Sequence, residues 1–254
     1  ALVATAPLPA RQPAALQSSD LAGLKLRNIG PATMSGRVVD MDVVEADPYT
    51  MYVASSTGGV FRTTDNGVTW TPVFEREAVH SVGDIAVFQP APDIIWVGTG
   101  ERANRQSVGW GDGVYKSTDA GKTWTNVGLK TSRHIGRIVL HPTNPDIAYV
   151  AAQGSVWGSG GDRGLYVTRD GGRTWTRTLH VDDDTGVTDV AMDWRDPAVL
   201  YAASYQRRRS AFGRIAVATI IRRIRIVPKG SMKPTPLQKG PDQTSLSTPP
   251  PAVK

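Results

Sequence analysis

The chain has no cysteine, which excludes disulfide staples and thiolate metal sites. Nowhere do eighteen apolar residues run together, so no hydrophobic transmembrane helix is encoded in it. Acidic residues are nearly missing from one segment only. From Arg207 onward, seven arginines and four lysines face the single acid Asp242. That segment carries +10, so the first 206 residues carry −4 beneath a net charge of +6. The basic character thus belongs to a tail and not to the folded body, and no nucleic-acid partner is expected. The 26 glycines and 18 prolines suit many tight turns better than long helices. Residues 1–23 start without a basic segment and read as a flexible leader, either a plain one or the remains of a signal peptide.

What the chain does have is a repeat. One octad occurs three times: Thr63-Thr-Asp65-Asn-Gly67-Val-Thr69-Trp70, Ser117-Thr-Asp119-Ala-Gly121-Lys-Thr123-Trp124 and Thr168-Arg-Asp170-Gly-Gly172-Arg-Thr174-Trp175. The aspartates are 54 and 51 residues apart. A second repeat precedes the octads. Pro48, Pro92, Pro145 and Pro197 each sit just before a short run such as Ile94-Ile-Trp-Val or Ile147-Ala-Tyr-Val, at spacings of 44, 53 and 52. Another strand-like run comes before each proline, beginning at Arg37, Asp84, Arg137 and Asp189. Each unit therefore reads as strand, Pro turn, strand, loop, strand, Asp turn, strand, with turn residues between short Val-, Ile- and aromatic-rich segments. Four strands in roughly 40–50 residues is propeller spacing. One such blade cannot bury both its faces and must stack on neighbours.

The octad has a physical logic. A tight turn has to join the third and fourth strands. An Asp carboxylate there can accept backbone N–H groups, and Gly permits a backbone conformation that a side chain penalises. Thr and Trp then open the last strand, with the Trp packing between blades. Asp65, Gly67, Trp70, Asp119, Gly121, Trp124, Asp170, Gly172 and Trp175 are accordingly expected to be structural.

These octads, with their Gly-[Val/Leu]-[Phe/Tyr] lead-ins, resemble the Asp-box (BNR) repeats of sialidases, xyloglucanases and sortilin-type receptors. Three stretches resemble the N-terminal propeller of large secreted bacterial sortilin-like, BNR-repeat "glycosyl hydrolases": residues 27–37, residues 97–116 and Tyr201-Ala-Ala-Ser-Tyr-Gln-Arg-Arg-Arg. The resemblance covers residues 24–213. It implies an all-β fold of four-stranded antiparallel propeller blades of the Asp-box type. No fourth octad follows Gly213. Three blades and part of a fourth make an incomplete ring of about 3.5–4 blades, whose unpaired blade edges invite self-association. Residues 214–254 are expected to be a basic, Pro-rich tail, disordered or read out of frame.

The resemblance further implies that the strand-two-to-three loops share a face with the inter-blade loops, opposite the Asp turns. That gathers residues 99–112, 153–163 and 203–213. Glu101, Arg102, Asn104, Arg105, Trp110, His134, Trp157, Arg207 and Arg208 are the ligand-binding candidates. Charged groups beside an indole make a platform for carbohydrate or peptide, although each could equally serve its own loop. His80, His134 and His180 come from three separate junctions without paired ligand spacing, and Asp182-Asp-Asp184 suits a polar turn, so no metal or other cofactor is expected.

Glycoside hydrolysis needs two carboxylates about 5–10 Å apart. Glu101 and Asp112 are the weak catalytic candidates. Ser56 stands where xyloglucanase-type enzymes carry a catalytic Asp, which argues against that activity. The expected function is an extracytoplasmic propeller scaffold, secreted, periplasmic or cell-surface, binding protein or glycan through its loop face. The alternative is a truncated glycoside hydrolase of the sialidase or xyloglucanase kind.

Overall fold

The structure, a computed structural model, describes residues 36–103, 107–193, 195–207 and 219–225. All regular structure among them is β, and no described helix is long and apolar enough to cross a membrane. Blade one consists of β1 (Val38–Val43), β2 (Met51–Ser55), β3 (Gly59–Thr63) and β4 (Thr71–Pro72). Blade two has β5 (Val82–Val87), β6 (Ile95–Thr99), β7 (Val114–Ser117) and β8 (Thr125–Gly128). Blade three has β9 (Ile135–Leu140), β10 (Ala148–Ala152), β11 (Gly164–Thr168) and β12 (Thr176–Leu179). The fourth sheet holds β13 (Thr185–Met192), β14 (Val199–Gln206) and β15 (Thr219–Arg225). Every sheet is an antiparallel meander in sequence order. β15 comes from beyond Gly213, in the stretch read as tail, and pairs with β14 over its whole length.

The proline turns are the same in all four units. The N–H groups of Val44, Phe88, His141 and Asp193 donate to the carbonyls of Thr50, Ile94, Ile147 and Val199 at 2.9–3.0 Å. The first strands are equivalent too. Asp40, Asp84, Arg137 and Asp189 pair with Ala54, Gly98, Ala151 and Ala203, each just after a bulge. First strands of successive blades pack together, so they line the inside of the arc.

Each blade buries its face against the next. Tyr52, Ala54, Val60 and Phe74 of blade one meet Val82, Ile85, Val87, Ile95 and Val97 of blade two. The same positions recur between blades two and three and between blades three and four. At about 1.5–3 kcal/mol for each fully buried large apolar side chain, these interfaces dominate the fold's stabilisation.

The three Asp turns are near-copies. Asp65 Oδ1 accepts from Thr63 Oγ1 at 2.7 Å and from the Thr69 N–H at 2.9 Å, while Oδ2 takes the Thr69 hydroxyl at 2.6 Å. Asp119 and Asp170 repeat this with Ser117 and Thr123, and with Thr168 and Thr174. Gly67, Gly121 and Gly172 have φ of 85°, 83° and 96°, as the turn requires. The threonine hydroxyl at the end of each turn is the first cause that pulls each Asp pKa down to about 2. A depressed carboxylate pKa stabilises the fold above its unfolded value near 4, and that contribution is lost as pH falls toward 2.

The tryptophans behave differently. Trp124 donates its indole N–H to the Val73 carbonyl of blade one, and Trp175 to the Val127 carbonyl of blade two, both at 2.7 Å. Phe74 meets Trp124 edge-on with centroids 5.2 Å apart. Among the described residues no blade precedes that of Trp70, which is 41% exposed.

Candidate functional site

Two ends of the blades are available for a site. In a meander, the 1–2 and 3–4 turns lie at one end of the strands, and the 2–3 loop and the link to the next blade lie at the other. A concavity of about 680 Å³ opens at the Asp-turn end, lined by residues such as Glu45, Gln89, Pro90, His141 and Pro142. It brings no buried charged group to its wall. The loop end gathers the chemistry.

Arg102 leaves the 99–112 loop and turns inward. Its guanidinium donates to Asp84 at 2.8 Å, to the Gly136 carbonyl at 3.3 Å and to the Val39 carbonyl, so it ties the first strands of three blades. Asp84 is fully buried and also accepts the Ile138 N–H at 2.7 Å. Burial, and then neighbouring Asp40, push its pKa well above the usual carboxylate range. Arg137 lies 3.4 Å from Asp84, 3.8 Å from Asp40 and 3.5 Å from Asp189. This row of charges was legible only as an Asp or Arg recurring at one place in the first strands.

Glu101 is buried at the head of the same loop and is ion-paired with Arg37. The Arg37 N–H donates to Ser56 Oγ at 3.1 Å. Ser56 thus holds the backbone of the residue that neutralises Glu101. Arg207, buried at the end of β14, reaches Gln153 of blade three and the Ala103 and Glu101 carbonyls of blade two. His134 is fully buried, and among the described residues neither ring nitrogen has a hydrogen-bond partner. Burial, followed by Arg207, Arg163 and Arg133, lowers its pKa to about 3, so the ring is neutral at physiological pH. Glu101, His134 and Arg207, expected at a ligand surface, are instead buried, and Arg102, part-exposed, spends its guanidinium on the first strands.

Asp112 is engaged in its own loop. It accepts from the Tyr115 hydroxyl at 2.8 Å, and its N–H donates to Thr99 Oγ1 at 2.9 Å. Desolvation, reinforced by the bond to Asp112 and opposed by Asn126, leaves the Tyr115 pKa raised to about 12. Glu101 faces Arg37 and Asp112 faces Tyr115, so the two carboxylates serve different contacts. Gly100 lets the loop fold this tightly: with φ of 88°, its backbone passes where a Cβ would sit 1.9 Å from the Arg133 carbonyl.

What the loop end exposes is indole. Trp110 is 49% exposed, with the Arg133 guanidinium 4.8 Å from its ring centroid. Trp157, on the 153–163 loop of the next blade, is 45% exposed. That loop is wrapped around fully buried Arg163, whose guanidinium donates to the carbonyls of Gly160, Gln153, Asp184, Ser155 and Gly158 at 2.5–3.3 Å. Asp182 closes an Asx-type turn by accepting the N–H groups of Asp184 and Thr185, and Ser159 bonds Asp184 at 2.6 Å. Among the described residues, no group of His or acidic side chains is arranged to hold a metal ion. Asn104, Arg105 and Arg208 lie outside the described residues. The sequence signal for Arg163 is a lone arginine in a Gly-rich loop, and it was not among the candidates.

The Sortilin-Vps10 family (sortilin, neurotensin receptor 3) matches residues 112–217. A probable oligoxyloglucan-reducing end-specific xyloglucanase of Neosartorya fischeri is 27% identical over 172 residues, covering 63% of this chain and 18% of the relative. The solved structure of an ancestral GH74 enzyme matches with a TM-score of 0.57 and 20% identity, over 76% of this chain and 25% of that one. A Niastella koreensis GH74 enzyme matches with a TM-score of 0.51 and 23% identity, over 76% and 30%. The chain thus spans less than a third of the length of these proteins. The chain is similar over residues 112–217 to the sortilin type of domain, and it shares the propeller fold of the GH74 enzymes.

Proposed function

We propose that the chain is a stretch of an extracytoplasmic propeller that binds a glycan or protein ligand through its loop end, without catalysing its hydrolysis. The observation that carries this reading is the pair of half-exposed indoles, Trp110 and Trp157, presented by loops whose Arg102 and Arg163 are spent on contacts within the blades. A rigid, exposed aromatic face stacks on sugar rings or on flat peptide side chains at little entropic cost. Arg133 beneath Trp110 holds that ring in place and presents a cation beside it. The carboxylates support binding over hydrolysis, because Glu101 is neutralised by Arg37 and Asp112 is bonded to Tyr115. The body's charge of −4 gives no reason to expect a polyanionic partner.

The test is titration calorimetry with xyloglucan oligosaccharides, and with a peptide display library for the protein alternative. Trp110→Ala and Trp157→Ala should each weaken the ligand found by about tenfold, the loss of one stacking contact of ~1.4 kcal/mol. Affinity unchanged in both variants overturns the loop-end reading. Release of reducing sugar by the wild-type chain that collapses in Glu101→Gln, with binding retained, turns the protein into a hydrolase.

A further inference from the structure

The junction of blades one and two and that of blades two and three share one plan at the Asp-turn end, yet they close differently. In each, the aspartate after a turn proline, Asp93 or Asp146, accepts through its carbonyl the N–H of the first left-handed residue of the Asp turn, Ala120 or Gly171, at 3.0 Å. In each, a third-strand cation lies over the ring paired with it on the second strand. Arg62 is 5.8 Å from the Tyr52 centroid, and Lys116 is 4.8 Å from the Trp96 centroid. At the second of these junctions Lys116 Nζ also lies 3.8 Å from Asp146. That ion pair uses space left by a glycine. A Cβ on Gly171 would stand 2.8 Å from Asp146 Oδ1 and 3.0 Å from Lys116 Nζ.

At the first junction that Cβ is present, as the buried methyl of Ala120. Arg62 and Asp93 form no ion pair across it. Among the described residues the Arg62 guanidinium has no hydrogen-bond or ion-pair partner, and its Nε is buried without an acceptor. A cleft of about 290 Å³ opens there between the two blades, with Arg62, Thr64, Thr71, Ala120 and Lys122 in its wall. Asp65, the acid of the adjoining turn, is engaged by the Thr63 and Thr69 hydroxyls. Keeping the methyl in place has a cost, because Ala120 sits at φ of 60°, a left-handed conformation that alanine disfavours. Backbone strain retained beside a cleft with an unpaired cation is an outlier that points to a use.

From this we infer that the cleft between blades one and two binds a small organic acid, whose carboxylate takes at Arg62 the place that Asp146 takes at Lys116. The Ala120 methyl is the wedge that keeps the chain's own carboxylate, Asp93, out of that place. A guanidinium offers an incoming carboxylate two parallel N–H donors, where the lysine of the next junction offers a point charge. Lys122 adds a second cation, and Thr64 and Thr71 supply hydroxyls on the same wall. The volume accommodates the carbon skeleton that carries the acid as well as the charged group itself. This site lies at the opposite end of the blades from Trp110 and Trp157, and the inference is independent of the loop-end ligand.

The test is an NMR titration of the whole chain with acetate and with succinate, against chloride at equal ionic strength, read at the Thr71 and Lys122 amides. Both acids should shift these resonances saturably at millimolar concentration, and chloride should not. Arg62→Gln should weaken binding by about tenfold or more. Ala120→Gly leaves every charge of the cleft in place and relieves strain, so it keeps the fold. Without the methyl, Asp93 can close on Arg62, and affinity for both acids should fall by about fivefold. Asp93→Asn added to Ala120→Gly should restore it. A response to chloride equal to that to acetate, or wild-type affinity in Arg62→Gln, overturns the site. Wild-type affinity in Ala120→Gly, or a loss that Asp93→Asn does not recover, overturns the wedge on which the inference rests.

Discussion

At one end of the blades, Asp65, Asp119 and Asp170 make the same side-chain bonds to within 0.1 Å. At the other end, each loop is held by a different device. The 99–112 loop sends Arg102 into the first strands and bonds Asp112 to Tyr115. The 153–163 loop coils around Arg163. The chain after β14 is anchored through Arg207. Where the same geometrical problem recurs, such as turning from third to fourth strand, the same residues solve it. Where the loops differ, each must carry its own internal support, and this is what leaves their indoles outside in fixed places.

The comparison breaks most severely at Arg163. Arg163→Ala removes the donors from five carbonyls in one stroke, while an Asp turn loses bonds at the surface. Leaving buried acceptors unpaired should cost about 4 kcal/mol. Urea denaturation should show it as a lowered midpoint, with fast amide exchange concentrated in residues 153–163. Arg163→Lys should recover little, because an ammonium cannot present five donors in a planar fork. A midpoint within about 0.5 kcal/mol of wild type would mean that the loop does not depend on its arginine.

A smaller effect separates two residues at the same place in their octads. Trp124→Ala loses the Phe74 packing and the bond to the Val73 carbonyl, and should cost about 3 kcal/mol. Trp70→Ala, measured at a concentration where the chain is monomeric, should fall within about 0.5 kcal/mol of wild type. The two values measure what a preceding blade adds to one octad. Equal costs would show that the Trp stabilises its own turn instead of the junction.

The fold was legible because its signals are local. Octad, proline turn and strand run each repeat within a window that fixes their own hydrogen bonds, so each Asp carboxylate could be assigned to the backbone of its own turn from spacing alone. The loop end was only partly legible, since its partners are distant in sequence. Arg102 meets Val39, and Arg207 meets Ala103, and nothing near either arginine specifies those carbonyls. The same property that marked Glu101 and Arg102 as candidates, charge in a loop facing the axis, also suits a residue that stitches blades together. Only depth distinguishes the two uses, and depth follows from the packing of blades that the sequence lists far apart. Trp110 and Trp157 survive as candidates because an indole needs no such partner to remain exposed.

The smallest effect lies inside the repeat itself. The three Asp turns need two successive residues with positive φ, and they are filled by Asn66-Gly67, Ala120-Gly121 and Gly171-Gly172. Asn tolerates this region because of its short polar side chain, and Gly adopts it freely, but Ala120 at φ of 60° does neither. The position is otherwise favourable: the Ala120 N–H donates to the Asp93 carbonyl at 3.0 Å, and the Tyr52 hydroxyl approaches its own carbonyl at 3.4 Å. Ala120→Gly keeps both backbone contacts and relieves the left-handed strain, at the expense of greater freedom in the unfolded chain. The net should be a stabilisation of about 0.5–1 kcal/mol, read as a raised thermal midpoint. Gly171→Ala, the reverse change in the third turn, should destabilise by a similar amount, and its added methyl would also approach Asp146 and Lys116. If both substitutions shift the midpoint in the same direction, the three turns are not energetically equivalent despite their matching bonds.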